Sequence, residues 1–248
     1  MMILVAIDDT DNLESRGTGK LAAMLAENIE KKGWGKTGPI TRHQLLVHPD
    51  IPYTSHNSTM CFTADIYNCS LDSLASWSAS FLERECAPGS DPGLCIACID
   101  QVARNQELID YAYRAKEEVI PKEEAYALAR RYGIHLSEHG GSGIGVIGAL
   151  AGVGLRYSGN DGRFRGKLEI MPPGGVATVQ EIKARSLVEK VCSTEGELIP
   201  DDEPILLGET QKAVLIDGQA VMLVFPTEAT EPERARWQTC TKTYLKRF

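Results

Sequence analysis

The sequence predicts an α+β (α/β) protein, in which a ferredoxin-like βαββαβ part with added helices precedes a smaller β-rich module. An apolar run over 2–7 has the length and Val/Ile content of a buried strand, and 58–67 alternates apolar and polar residues. The segments 21–31 and 71–85, which follow the first and third strands, carry apolar residues at helical spacing. This alternation of strands with helices predicts the split βαβ arrangement.

The first part of the chain supplies the remaining elements of that arrangement. Strands are predicted over 40–47, which is followed by Pro49 and Pro52, and over 93–99. Two added helices follow over 105–119 and 122–132, because Pro121 suits a helix start and Gly133 a helix end.

The clearest linker is Met-Pro-Pro-Gly-Gly at 171–175, so we expect one domain over 1–170 and a second over 171–248. The second domain should contain strands over 176–185, 213–216 and 220–225. Asp217-Gly218 between the last two strands is a strong hairpin signal. The polar segment 228–248 fits a surface helix or a loose tail.

An acidic box follows the first strand. Asp8, Asp9 and Asp11, with Thr10 between them, should lie just past its carboxyl end, where open α/β sheets tend to bind ligands. Clustered carboxylates suit Mg²⁺, which is often held by a few carboxylates and the phosphates of a nucleotide. The three aspartates are therefore the candidate metal ligands and catalytic residues. A solvated acidic turn that caps the next helix is the alternative.

A glycine-containing turn follows the box. Gly17-Thr18-Gly19-Lys20 fails the Walker A pattern, because Glu14 replaces the first glycine and Leu21 replaces Ser or Thr. Such a turn can still present backbone N–H groups to an anion at the start of a helix. We therefore take residues 17–19 as nucleotide-binding candidates and Lys20 as a catalytic point charge on a phosphate. A solvated lysine is the alternative.

A second glycine segment runs from His139 to Gly148 and contains G-x-G-x-x-G. A dinucleotide site would need an apolar strand before it, and His-Leu-Ser-Glu-His stands there instead. The segment favours a phosphate-binding loop that includes Ser142, Gly143 and Gly145, with close helix packing as the alternative.

The histidines and cysteines give weaker signals. His56 and Asn57 lie in a Pro-flanked loop before a strand, and loops often carry function, so both are nucleotide-binding candidates. The lone Cys95-Ile-Ala-Cys98 has no partner pair at zinc-ribbon spacing and predicts buried small residues.

Composition limits the classes of protein. The net charge of −8 argues against a general nucleic-acid or membrane coat, although RNA stays among the expected partners. Seven scattered cysteines and no signal-peptide or membrane-span pattern predict a cytoplasmic protein with no membrane partner. A homodimer is compatible with the sequence.

Four stretches share a pattern with one family: Ile-Asp-Asp-Thr-Asp at 7–11, Pro-Asp-Ile-Pro-Tyr at 49–53 with His56 and Asn57, Asp-Pro-Gly at 91–93, and the glycine segment at 143–151. Together they resemble the archaeal tRNA-isoleucine agmatidine synthetase (TiaS) family. The resemblance implies a kinase-like and ferredoxin-like region that binds ATP. It also implies phosphorylation of a tRNA cytidine, followed by displacement of the phosphate by agmatine. Asp8, Asp9 and Asp11 would then lie in the ATP·Mg²⁺ site, close to Gly143 and Gly145.

The sequence also departs from the family. The family's phosphorylated threonine falls, by simple counting, at Lys20, with Thr18 nearby. The rest of the chain is too short for the family's oligonucleotide-binding and zinc-ribbon domains, so agmatidine synthesis would need a separate tRNA-binding chain. We expect an ATP·Mg²⁺-dependent phosphoryl- or nucleotidyl-transferring enzyme that acts on an unidentified small-molecule or RNA acceptor. The alternative is a non-catalytic nucleotide- or RNA-binding module with the same fold.

Overall fold

Two units divide the protein, Met1–Ser158 and Gly159–Phe248. The structure is a computed structural model that describes residues 1–51, 57–103, 105–227 and 235–248. The linker expected at 171–175 lies within the second unit, because residues 159–170 pack with the residues that follow them.

The first unit contains the expected βαββαβ order. Its elements are β1 (Met2–Asp8), α1 (Thr18–Lys31), β2 (Gly35–Thr37), β3 (Thr41–Gln44), β4 (Ser58–Ile66), α2 (Leu71–Glu85), β5 (Gly93–Cys98), α3 (Ile99–Val102), α4 (Gln106–Arg114), α5 (Lys122–Tyr132), β6 (His135–Glu138) and α6 (Gly145–Ser158). The second strand of the motif differs from the prediction, because it consists of two short pieces, β2 and β3, which both pair with β4. Pro39, which lacks a backbone N–H, lies in the break between them.

The sheet of this unit has the order β6-β5-β1-β4-β3, and every neighbouring pair in it is antiparallel. This order places β1 at the centre, as the ferredoxin-like arrangement requires. Ile3, Val5 and Ile7 pack with α1 and α2 on one face, whereas Leu4 and Ala6 pack with α4, α5 and α6 on the other. The added helices therefore cover the face that the motif's own two helices leave open.

Helix α6 lies close to the sheet because small residues replace bulky ones along it. A Cβ atom at Gly152 would lie 2.8 Å from the Thr59 hydroxyl oxygen, and one at Gly154 would lie 2.6 Å from the Ala112 methyl group. Both distances are shorter than normal contacts between such atoms. The close-packing alternative for the second glycine segment is thus realised along α6.

The second unit is β-rich, as expected. Its elements are β7 (Arg163–Phe164), β8 (Val176–Thr178), α7 (Val179–Arg185), β9 (Lys190–Ser193), β10 (Pro204–Leu206), β11 (Val214–Ile216), β12 (Gln219–Pro226), β13 (Trp237–Thr239) and α8 (Lys242–Leu245). The hairpin prediction is confirmed, since Asp217 and Gly218 join β11 to β12 with φ angles of 50° and 74°. The strand predicted over 176–185 is wrong beyond Thr178. That residue caps α7 in a capping box with Glu181.

Candidate functional site

Asp8 ends the central strand and faces α6. A Cβ atom at Gly148 would overlap the Asp8 Oδ2 atom, so the carboxyl group occupies space that only a glycine leaves open. The residue is only 7% exposed. Burial raises the pKa of Asp8 to about 8, and the neighbouring charge of Asp9 acts in the same direction. A carboxyl group in this state favours a proton or a cation beside it.

Asp9 adopts a left-handed backbone conformation with φ of 48°, which Asp tolerates better than most residues. Burial raises the pKa of Asp9 to about 6, and the charges of Asp91 and then Asp11 contribute further. Asp91 is therefore a fourth carboxylate of the site. Sequence reasoning did not select it, although the Asp-Pro-Gly stretch that contains it was noted.

Asp11 and Thr10 join the box to the start of α1. The Thr18 N–H donates to Asp11 Oδ2 at 3.3 Å, and the Thr10 and Thr18 hydroxyl oxygens are 3.1 Å apart. Gly17, with φ of 80°, precedes the helix. The box therefore contacts Thr18 through both Thr10 and Asp11, and the helix-capping alternative is realised in part by Asp11.

Lys20, the predicted catalytic point charge, lies on the exposed side of α1. It helps to lower the pKa of Glu27, for which the hydrogen bond and ion pair with Lys31 are the larger causes. The charge of Lys20 is not among the causes that shift the pKa of Asp8 or Asp9. Gly19 is partly exposed in the first turn of the same helix.

The glycine loop before α6 meets the acidic box through Asp91. The Ser142 N–H and the Gly143 N–H both donate to Asp91 Oδ1, the second at 2.9 Å. The Gly145 N–H donates to the Asp91 carbonyl oxygen at 3.2 Å. Lys122 holds the loop from its other side, since its Nζ atom donates to the Ser142 carbonyl oxygen at 2.7 Å. The N–H groups expected to bind phosphate are thus engaged by Asp91, which would have to release them to an anion.

Asn57 has a structural contact. Its side-chain Nδ2 donates to the Leu46 carbonyl oxygen at 2.7 Å, and its own carbonyl oxygen accepts from the Leu45 N–H at 2.9 Å. These bonds tie the start of β4 to the end of β3. His56 lies outside the described residues.

A cleft of about 420 Å³ opens beside the box, between the segment 86–92 and the loop at 139–141. Ala87, which lines the cleft, connects the two, because its N–H donates to the Thr10 carbonyl oxygen at 3.0 Å. His139 lines the cleft, with its Nδ1 atom 3.6 Å from Glu83 Oε1 and its Nε2 atom 2.8 Å from the Ser137 hydroxyl oxygen. The cleft offers space for a small molecule or part of a larger one, and none of the four aspartates is among its lining residues.

The donor set suits a hard divalent cation. Asp8, Asp9, Asp11 and Asp91 supply only oxygen atoms, and their mutual repulsion would be relieved by positive charge. Within the described ranges, no group of three or more His, Cys, Asp or Glu side chains is placed so that it could hold a metal ion by itself. Mg²⁺ commonly completes its coordination with water and substrate phosphates, so a partial protein site is consistent with that ion.

The fold and the site together define a ferredoxin-like domain in which a group of carboxylates follows the central strand β1 and meets a glycine loop. The chain is similar to the isoleucine-tRNA 2-agmatinylcytidine synthetase TiaS of Methanosarcina acetivorans, with 28% identity over 155 residues, 61% of this chain and 35% of that protein. A crystal structure of TiaS with its isoleucine tRNA and ATP matches 62% of this chain at 27% identity and a TM-score of 0.55, and 36% of the TiaS chain is covered. No protein-family model matches the sequence.

Two further solved structures are similar over the same share of the chain. One is a tRNA fluorescent labeling enzyme, 28% identical with a TM-score of 0.54 and 36% of its chain covered. The other is TiaS with its isoleucine tRNA, AMPCPP and agmatine, 26% identical with a TM-score of 0.53 and 36% covered. The similarity to TiaS expected from the sequence is thus confirmed, and the chain spans about a third of the length of these relatives. Among the helices of the described residues, none has the length and apolar character needed to cross a membrane.

Proposed function

We propose that the protein is an ATP·Mg²⁺-dependent enzyme that transfers a phosphoryl or nucleotidyl group during RNA modification. The observation that supports this most strongly is the position of Asp8, Asp9, Asp11 and Asp91 around the carboxyl-terminal end of the central strand β1, next to the glycine loop. The proposal is also supported by the similarity of 62% of the chain to TiaS, whose crystal structure with an isoleucine tRNA and ATP is known.

In this proposal the aspartates hold Mg²⁺, which would neutralise charge on the nucleotide phosphates. The protein would contribute mainly positioning and electrostatic stabilisation, as phosphoryl-transferring enzymes generally do. Thr18 supports the arrangement, because its hydroxyl group is buried against Thr10 and its N–H donates to Asp11. The cleft beside Cys86 is the proposed place for the acceptor, because its lining residue Ala87 is hydrogen-bonded to Thr10 of the acidic box.

The glycine loop would respond to the nucleotide. In the structure Asp91 accepts hydrogen bonds from Ser142 and Gly143. A cation that attracts the Asp91 carboxylate would free these two N–H groups for a phosphate oxygen. The proposal therefore assigns phosphate binding by Ser142, Gly143 and Gly145 to the state in which the nucleotide and the cation are bound.

Transfer of radioactive phosphorus from ATP labelled at the γ or the α phosphate, with Mg²⁺ and total tRNA, tests the proposal. We expect label in RNA or in a released product with the wild-type chain, and a loss of at least about a hundredfold in Asp11→Asn. Asp202→Asn, on an exposed turn before β10, is the matched control. Equal turnover by wild type and Asp11→Asn would contradict the proposed role of the box.

A non-catalytic nucleotide- or RNA-binding module is the second candidate. It is favoured by the hydrogen bonds from the Ser142 and Gly143 N–H groups to Asp91, because these bonds stabilise the loop without a ligand. Saturable ATP or RNA binding without any transfer would support this candidate over the enzyme. If RNA is the partner, its binding should weaken steeply as the salt concentration rises.

A further inference from the structure

A short helix, α8, packs on one face of the strands β11 and β12 in the second unit. Leu245 of this helix is only 2% exposed and joins the core formed by Val214 of β11 and Leu223 of β12. Three aromatic side chains pack against that core and remain partly exposed: Phe225, Tyr244 and Phe248. Helix α8 therefore covers the middle of this face and leaves aromatic surface accessible beside it.

The side chains of the segment 235–248 carry positive charge and no negative charge. The segment contains Arg236, Lys242, Lys246 and Arg247 and no Asp or Glu, in a chain with 34 acidic and 26 basic side chains. Lys242 and Lys246 are exposed and four residues apart, a spacing that places two side chains on the same side of a helical turn. Neither lysine forms an ion pair with a described residue. The positive charge of α8 is thus presented to solvent.

Arg247 brings this charge onto the aromatic rings. Its guanidinium carbon lies 3.7 Å from the centroid of the Tyr244 ring and 5.8 Å from that of the Phe248 ring. The Tyr244 N–H donates to the hydroxyl oxygen of Thr241, the cap of α8, at 3.3 Å. An exposed guanidinium group that is backed by a ring presents a flat cationic surface, on which a nucleic-acid base can stack.

The strands add one charge of each sign to this region. Lys190 pairs with Val221 and Cys192 pairs with Leu223, so Lys190 and Cys192 point to the face that α8 covers. Burial raises the pKa of the Cys192 thiol, whereas Lys190 lowers it and Asp217, in the turn before β12, raises it. Lys190 therefore offsets Asp217, and the basic residues of α8 and of the turn after it add a positive surplus.

We propose that this surface, which we call the α8 face, binds single-stranded RNA. It is formed by Phe225, Lys242, Tyr244, Lys246, Arg247 and Phe248. A positive surplus on a chain of net charge −8 favours a polyanion, and partly exposed rings favour a polyanion that carries bases. The lysines would contact phosphates, while the rings and the Arg247 guanidinium group would stack on bases. This inference rests on the proposed action on RNA, but it requires no transfer chemistry.

Fluorescence anisotropy tests the charge of the α8 face, with the full chain and a labelled single-stranded RNA of mixed sequence and about twelve nucleotides. We expect Lys242→Gln/Lys246→Gln to weaken binding by at least about tenfold at low salt. The slope of log affinity against log salt should fall by about 1.4, because each phosphate contact to a single strand contributes roughly 0.7. Lys31→Gln/Lys36→Gln is the matched control, because it removes the same charge from exposed positions of the first unit. It should bind RNA like wild type.

Substitutions of Tyr244 test the stacking of bases. Tyr244→Leu should weaken RNA binding by at least about fivefold and leave the salt slope unchanged, because stacking releases no counterions. Tyr244→Phe keeps the ring and should bind like wild type. Melting curves of each variant show whether the second unit stays folded. If Tyr244→Leu unfolds, the exposed lysine pair decides.

The outcomes separate this inference from the proposed enzyme. If Lys242→Gln/Lys246→Gln binds RNA as its control does, or if wild type binds no RNA, the α8 face is not an RNA site, whereas transfer of label from ATP would still support the enzyme. If folded Tyr244→Leu binds like wild type, the stacking role is wrong and the inference fails as stated. RNA binding with the expected losses but without any transfer would support the α8 face and contradict the enzyme.

Discussion

Replacing Asp8 by Asn should stabilise the protein at neutral pH in the absence of divalent cations. The Asp8 carboxyl group is buried against Gly148, and its pKa is raised to about 8 from an ordinary value of 3.8. In the unfolded chain the group is ionised above about pH 4. Between these values the folded state keeps a proton that the unfolded state has lost, so stability decreases as the pH rises.

The size of the effect follows from the two pKa values of the box. Asp9, with a pKa of about 6, is half protonated at pH 6 and has lost most of its proton by pH 7. Because Asp9 is present in both proteins, the difference between wild type and Asp8→Asn from pH 6 to pH 8 reports on Asp8. A single proton held only by the folded state changes stability by about 1.4 kcal/mol per pH unit. Because Asp8 is partly ionised near the upper end, we expect wild type to lose about 2 kcal/mol across this window relative to Asp8→Asn.

Urea denaturation in EDTA at several pH values measures this difference. Asn has nearly the same shape as Asp, so the contact with Gly148 should persist and the pH dependence should flatten. Asp202→Asn, an exposed residue, should show the wild-type pH dependence. Parallel stability curves for wild type and Asp8→Asn between pH 6 and pH 8 would refute the reasoning about burial.

Three more substitutions test other parts of the structure. Gly148→Ala should destabilise the protein by roughly 1–3 kcal/mol in thermal or urea unfolding, because its Cβ would overlap the Asp8 carboxylate; unchanged stability would mean that this contact is absent. Asp91→Asn should lower the pKa of Asp9, followed by NMR titration, since it removes the charge that contributes most to raising that pKa; an unchanged Asp9 titration would show that the Asp91 charge does not act on Asp9. Thr178→Ala should cost about 1 kcal/mol in urea denaturation through loss of the α7 cap, whereas no loss would argue against the capping box.

The sequence predicted the order of elements well where the pattern was local and regular. The helix over 71–85 matches the predicted bounds, and the alternation over 58–67 matches β4 within one residue. The strand predicted over 176–185 is wrong because Val and Ile suit both strands and helices, and the Thr178 and Glu181 capping signal was overlooked.

The candidate site was only partly predictable. Asp8, Asp9 and Asp11 are adjacent in the chain, so their clustering could be read directly. Asp91 reaches the same end of β1 only through the pairing of β5 with β1, which no local pattern specifies. Lys20 is close to the acidic box in the chain, whereas in the structure its side chain is exposed on α1.

Equilibrium binding of ATP tests the central claim most directly, with wild type and Asp9→Asn measured in Mg²⁺ and in EDTA. Asn tolerates the left-handed backbone of residue 9, so the variant changes the charge while keeping the turn. The account predicts saturable binding by wild type in Mg²⁺ that weakens by at least about tenfold in EDTA and in Asp9→Asn. Binding of equal strength with and without Mg²⁺, or no binding by wild type, would contradict the assignment of the acidic box to a magnesium–nucleotide site.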